Sequence, residues 1–402
     1  MKRSALLFIM FLMALPSLAH YEYIRIWQGG ESMRVPIKDI VYSGGGRQFT
    51  VSDQVFHTAE IDSITLVHTV WVSYQQETVS VEMNGTPGIS YQLQGADVVL
   101  TNNNTTQEVE FVLSGYSSNG SFSYNGSYKC KFHLNGLDLT SQKGAAIDIQ
   151  CGKRIDLILS PGTTNMLTDA KSGTQKACFF CRGHLEIDGS GSLSITGNTR
   201  HALATNEYLK CKKGLGTLNV LRALGDAIHA GQYFQMNGGV LNINGMEGDG
   251  IQAEATDDSK DEFNGQVFIK GGSVHMNVEG DDVKGIKSDG DLTISGGTLC
   301  IDVNGDGSRG ISCGQDMYIH QEDGPTNLLI NANGGVYVNP MDKKDTNRCM
   351  GIKVDRDLTI SDGTITVRAN GEKARTIKVS GTYCYRGGQV DAGSIDYGSI
   401  KR

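Results

Sequence analysis

Residues 226–243 read DAIHAGQYFQMNGGVLNI, and the same phrase keeps returning. It is an isoleucine or its equivalent, a short strand, a glycine pair, then an alternating strand. It recurs as DGIQAE followed by QVFIKGGSVHMNV from Asp249, as KGIKSDGDLTISGGTLCIDV from Lys284, as RGISCGQDMYIH from Arg309 and as MGIKVDRDLTISDGTITV from Met350. Weaker copies are AAIDIQCGKRIDLIL from Ala145, CFFCRGHLEIDGSGSLSI from Cys178 and HALATNEYLKC from His201, and RTIKVSG from Arg375 closes the series. The anchor positions are Ile147, Phe179, Leu203, Ile228, Ile251, Ile286, Ile311, Ile352 and Ile377, with many intervals of 23 to 25 residues. Longer intervals carry the insertions TDDSKDEFNG before Gln266 and QEDGPTNLLINANGGVYVNPMDKKDTN before Arg348.

A repeat of this length without helical spacing suits three short strands and three turns, one coil of a parallel β-helix. After each glycine pair, Leu241 and Ile243, then Val274, Met276 and Val278, then Leu299, Ile301 and Val303 share one face. A period of two places these inside and Asn242, His275, Asn277, Cys300 and Asp302 outside. Nine coils stacked at about 4.8 Å make a rod of roughly 40 Å. No coil buries its own apolar face, so stacking supplies the core.

Composition agrees. Among 402 residues, 52 are glycine and 6 proline, which suits strands and tight turns. The expected class is all-β, a right-handed parallel β-helix over residues 116–402 behind an N-terminal antiparallel β region and cap over residues 20–115. In that region IRIW, RQFTVS, IDSITLVHTVWVSY, ETVSVEM and VEFVLSG read as strands. The boundary is expected between Gly115 and Tyr128. Residues 1–19 read as a signal peptide: Lys2 and Arg3, an apolar run from Ala5 to Leu15, then Ser17-Leu18-Ala19. Export to the periplasm, cell surface or medium is the expectation, and no stretch of the mature chain is apolar enough to span a membrane. Losing Lys2 and Arg3 takes the formal charge from −8 to −10, which disfavours nucleic acid as a partner. Nine cysteines fall in the mature chain; Cys178-x-x-Cys181 lacks the second pair of a zinc ribbon, and packed thiols are the expectation.

In GDGIQAEATDDSKDE, residues 248–262, six carboxylates fall within fifteen residues. Asp226 and Asp249 each stand two before an anchor, so a solenoid brings them about 5 Å apart. Like charges that close call for a proton or a cation. Calcium takes six to eight oxygens, and glycine-rich turns expose carbonyls, so Asp226, Asp249, Glu254, Asp281 and Asp282 are candidate Ca2+ ligands. Asp257, Asp258 and Asp261 on the inserted loop form a looser set, for which a hydrated acidic rim is the plainer reading. The basic column Lys284, Lys287, Arg309, Lys353, Arg375 and Lys378 either meets sugar carboxylates or neutralises neighbouring acids; both readings stand. Tyr208 and Tyr233 are candidate sugar platforms, or the edge of a core. His201, His229 and His275 share no metal-ligand spacing and read as surface or hydrogen-bonding groups.

At RHALATNEYLK, GDAIHAGQYFQMNGG, GDGIQAEATDDSKDE, DDVKGIKSDGDLTISGG and RCMGIK the chain resembles the secreted bacterial carbohydrate-binding-domain β-helix proteins. The resemblance implies a right-handed, pectate-lyase-like β-helix, calcium at acidic turns and binding of acidic polysaccharide such as polygalacturonate. Three functions follow: a calcium-dependent polysaccharide binder, a passive scaffold with structural calcium, and a lyase using Lys284, Lys287 or Arg309. The binder ranks first. One departure limits the calcium column: Lys284, Arg309, Met350 and Arg375 replace the aspartate in later coils.

Overall fold

The computed structural model describes residues 23–29, 31–36, 40–51, 54–83, 86–258 and 260–401. The signal-peptide segment, residues 1–19, lies outside them. No helix among the described residues is long and apolar enough to cross a membrane.

The repeat folds as a parallel β-helix with three sheets, here A, B and C in the order the chain visits them. In the coil that opens at residue 226, Ile228–Ala230 lies in sheet A, Phe234–Met236 in B and Val240–Ile243 in C. Each pairs in parallel with its counterpart one coil on: Ile251–Ala253, Val267–Ile269 and Ser273–Val278. The anchors read from sequence pair in sheet A from Ile147↔Phe179 through Leu203, Ile228, Ile251, Ile286 and Ile311 to Ile352↔Ile377. Seven of them, Phe179, Leu203, Ile228, Ile251, Ile286, Ile311 and Ile352, are wholly buried in one continuous core.

The glycine pairs turn the chain from sheet B into sheet C. At Gly296-Gly297 the two residues do different work. A Cβ on Gly296 would strike the Lys270 carbonyl oxygen of the preceding coil, and Gly297 has φ +94°. The turn therefore needs both a close backbone approach and a left-handed residue.

Two boundaries differ from the sequence reading. Parallel stacking begins well before residue 116: His68–Gln75 pairs in parallel with Val109–Ser117, and Ala96–Asn102 with Gly120–Gly126. The first coils lack the glycine-pair phrase because two antiparallel strands, Thr78–Glu82 and Ile89–Gln94, interrupt them and pair back on their ends. The purely antiparallel part is smaller, with its own core of Ile24, Ile26, Val35, Phe49, Val51, Phe56, Ile61 and Ile64. The second difference lies in residues 321–347. Thr326–Ala332 is a regular sheet C strand, and only the hairpin Val336–Val338 with Thr346–Arg348 is extra. All nine cysteines are free, seven of them buried.

Candidate functional site

Sheet A carries the chemistry. One residue past each anchor, the side chains form an outward column: Asp148, Phe180, Ala204, His229, Gln252, Lys287, Ser312, Lys353 and Lys378. Two residues before each anchor lies a second column, which includes His201, Asp226, Asp249, Lys284 and Arg309.

The second column is a hydrogen-bonded ladder. The Asp226 N–H donates to His201 Nδ1 at 3.0 Å, the Asp249 N–H to Asp226 Oδ1 at 2.8 Å, and the Lys284 N–H to Asp249 Oδ1 at 2.8 Å. Each side chain thus satisfies a backbone donor of the next coil. Asp226 is 7 % exposed and Asp249 9 %. Their remaining oxygens face side chains. Asp226 Oδ2 lies 2.9 Å from His229 Nδ1 and 3.3 Å from His201 Nδ1; Asp249 Oδ2 lies 3.7 Å from Lys287 Nζ. The Gln252 amide, oriented by its neighbours, donates to Asp226 Oδ2 at 3.0 Å and accepts from Lys287 Nζ at 3.1 Å. Glu254 closes the network, 3.2 Å from His229 Nε2.

The two aspartates separate in acidity. Burial alone would raise the Asp226 carboxyl, but its contacts with the His201 and His229 imidazoles and the Asp249 N–H hold it far below the ordinary range. Asp249 moves the other way. Burial raises it, Lys284 and Lys287 only partly oppose, and the Asp226 carboxylate adds to the rise.

Above this network runs a trough. Two depressions of about 360 Å³ each meet at Lys176. Their floor includes Asp148, Phe180 and His229; Lys143, Lys176 and Arg200 rise on the side where the chain enters sheet A, and Gln150, Asn206 and Glu254 on the side where it leaves. Phe180 is 6 % exposed, with the Lys176 ammonium 5.2 Å above its ring. Lys176 also donates to Asn206, and Lys143 pairs with Asp97 at 2.8 Å. Arg200 is exposed and has no acidic partner among the described residues. From Asp148 to His229 the floor spans three coil steps, roughly 14 Å.

The candidate calcium ligands do not converge. Asp281 lies on another turn and accepts the Asp306 N–H, while Asp282 stands beside Lys284, whose ammonium also donates to the Asp282 carbonyl. Glu254 is engaged with His229. Among the described residues, the one group of three His, Cys, Asp or Glu side chains with ligand atoms all within 4.8 Å is His201, Asp226 and His229. The five carboxylates therefore do not form the oxygen cage that calcium takes. Acidic turn residues elsewhere also receive backbone donors: Asp291 from Asp316, Asp316 from Asp357, and Asp357 from Thr382. On the inserted loop Asp257 is exposed, Asp258 accepts the Lys260 N–H and Asp261 accepts from Thr256 Oγ1.

The other candidates are spoken for as well. Tyr208 is stacked between His184 at 4.4 Å and Tyr233 at 4.9 Å, so neither ring face is free. Tyr233 is 5 % exposed, with the edges of Phe263 and Phe268 against it. These tyrosines form an internal ladder at the turn from A to B, closed by the inserted loop. In the basic column, Lys353 pairs with Asp355, Arg375 with Asp396, and Arg309 donates to Asn347.

A family model described as carbohydrate-binding domain-containing protein matches residues 94–398. The chain belongs to that family. It is 29 % identical over 89 residues to a carbohydrate-binding domain-containing protein of Acetivibrio thermocellus, covering 20 % of this chain and 31 % of the relative. The chain thus spans about a third of the length of that curated relative. A solved structure described as the polysaccharide lyase-like protein from C. thermocellum, a gadolinium derivative, aligns with a TM-score of 0.49 at 21 % identity, over 65 % of this chain and 96 % of that one.

For this family member, reading the sequence missed the pairing of His201 with His229, whose rings stack 4.5 Å apart. The signal was present in the register. His201 stands two before anchor Leu203, as Asp226 does before Ile228, and His229 follows that same anchor. Linear spacing of 28 residues hides what the coil period makes adjacent.

Proposed function

We propose that this protein is a non-catalytic binder of acidic polysaccharide, which lies in the trough of sheet A along the solenoid axis. The observation that carries the reading is the trough wall of Lys143, Lys176 and Arg200 on a chain of formal charge −8. A groove that crosses consecutive coils suits a polymer better than a compact ligand. Its exposed guanidinium suits a carboxylate-bearing sugar, because Arg meets a carboxylate through two parallel hydrogen bonds. This reading does not require calcium, because Asp226, Asp249 and Asp281 each already accept a backbone N–H of the next coil.

The lyase alternative has less support. Lys284, Lys287 and Arg309 sit on coils beyond the trough, each engaged by a carboxylate, a carbonyl or an amide. The test is electrophoresis of chelator-treated protein through gels containing polygalacturonate or a neutral glucan, with and without added calcium. Retardation by polygalacturonate in both conditions is expected, with no ultraviolet absorbance from unsaturated product in a parallel incubation. Unretarded migration would return the scaffold reading, and growing absorbance the lyase.

A further inference from the structure

We propose that His201, Asp226 and His229 form a binding site for a divalent transition-metal ion of the zinc type, with an open coordination position facing the trough. The ligand set comes first. Two imidazole nitrogens and one carboxylate oxygen suit a borderline ion such as Zn2+ or Co2+ and suit calcium poorly. Spacing comes second. Ligands held 2.0–2.1 Å from a tetrahedral ion stand roughly 3.3 Å from one another. Asp226 Oδ2 is 3.3 Å from His201 Nδ1 and 2.9 Å from His229 Nδ1.

Electrostatics supply the third argument. His201 Nδ1 accepts the Asp226 N–H, so it carries no proton there. It nevertheless lies 3.3 Å from Asp226 Oδ2, another acceptor, in a place where His201 is 6 % exposed. Two acceptors facing each other away from water repel, and a cation between them removes the repulsion. The ion must draw the His201 lone pair away from the Asp226 N–H. It also displaces the proton that His229 Nδ1 shares with Asp226.

The surroundings match a metal centre. Glu254 stands 3.2 Å from His229 Nε2, the outer carboxylate that orients a ligating imidazole. Both histidines line the depression shared with Arg200 and Asn206, so a water or a sugar hydroxyl has access to the fourth position. The site is independent of calcium and of whether the trough takes a uronate.

The experiment is a titration of tag-free, chelator-stripped protein with Co2+, read by visible absorption, and with Zn2+, read by calorimetry. One ion per chain is expected, with the intense bands of a four-coordinate cobalt site. His201→Ala and His229→Ala should each abolish the bands, and His275→Ala should leave them unchanged. Glu254→Gln should weaken binding about 10–100-fold without changing stoichiometry. Circular dichroism confirms that each variant folds, and His229→Asn serves if the alanine variant does not. Equal binding by wild type and His229→Ala, or no binding by wild type, overturns the proposal.

Discussion

Asp226 Oδ1 accepts the backbone N–H of Asp249 at 2.8 Å, so one coil's acidic side chain holds the next coil's main chain. The relationship turns a charge that invites a ligand into a structural joint. The same joint recurs from Asp249 to Lys284, from Asp281 to Asp306, and along Asp291, Asp316 and Asp357. An acidic composition in this protein is in good part a set of internal acceptors for backbone donors that stacked turns would otherwise leave unpaired.

The two aspartates should respond oppositely to loss of charge. Asp226→Ala orphans the Asp249 N–H and the His229 donor and should cost about 1–3 kcal/mol in urea unfolding at neutral pH. Asp249→Asn keeps an acceptor for the Lys284 N–H and removes a buried charge, so it should be neutral or stabilising. An unchanged midpoint for Asp226→Ala would remove the ladder from the stability argument.

Their pH dependence carries opposite signs. The folded Asp226 carboxyl is depressed, so its stabilisation is complete above the ordinary carboxylate range and is lost as pH falls through its folded value. The folded Asp249 carboxyl is raised, so its contribution is complete below the unfolded value and is lost as pH rises through the folded one. Any gain from Asp249→Asn should therefore appear at neutral pH and vanish in acid below the ordinary carboxylate range. Melting curves of wild type and variant from pH 3 to 8 check this; a gain that grew in acid would contradict the assignment.

Arg200 is the trough cation most available to a ligand. Arg200→Ala should weaken polygalacturonate binding by about 1.5 kcal/mol or more, roughly tenfold, and lower its salt dependence. Lys353→Ala, paired with Asp355 outside the trough, should change affinity little. Equal losses from both would point to a diffuse charge effect rather than to the trough.

Adding calcium to chelator-stripped protein should change neither its melting temperature nor its affinity for polygalacturonate. Differential scanning fluorimetry and isothermal titration test the two halves separately. A calcium-dependent rise in melting temperature would mean that a cage of oxygens exists outside the groups considered above.

The turn glycines make a packing prediction. Gly296→Ala introduces a Cβ against the Lys270 carbonyl, so neighbouring coils must separate. A loss of about 1–3 kcal/mol is expected, the range for overpacking a tight contact. Full stability would show that the turn yields more readily than its contacts imply.

Much of the fold was legible because a solenoid is periodic. The interval between anchors states which residues are neighbours, and it carries the pairs from Ile147 to Ile377. The start of the solenoid was not legible, because Thr78–Glu82 and Ile89–Gln94 break the first coils with antiparallel strands that carry no repeat phrase. Asp226 and Asp249 could be stacked from register alone. That Asp226 would take a backbone N–H and two imidazoles depends on side-chain direction, which periodicity does not state.

The sequence by itself determined the all-β class, the three-sheet coil, the anchor register and the adjacency of Asp226 to Asp249. Period and alternation encode those properties, and stacking repeats makes them additive from coil to coil. Only the tertiary structure decided what the acidic turns do, that His201 and His229 close on one carboxylate, that Tyr208 and Tyr233 pack against each other, and that a trough with Arg200 on its wall crosses sheet A. These depend on which donor reaches which acceptor first at distances of 3 Å, and that competition is settled by three-dimensional placement rather than by spacing along the chain.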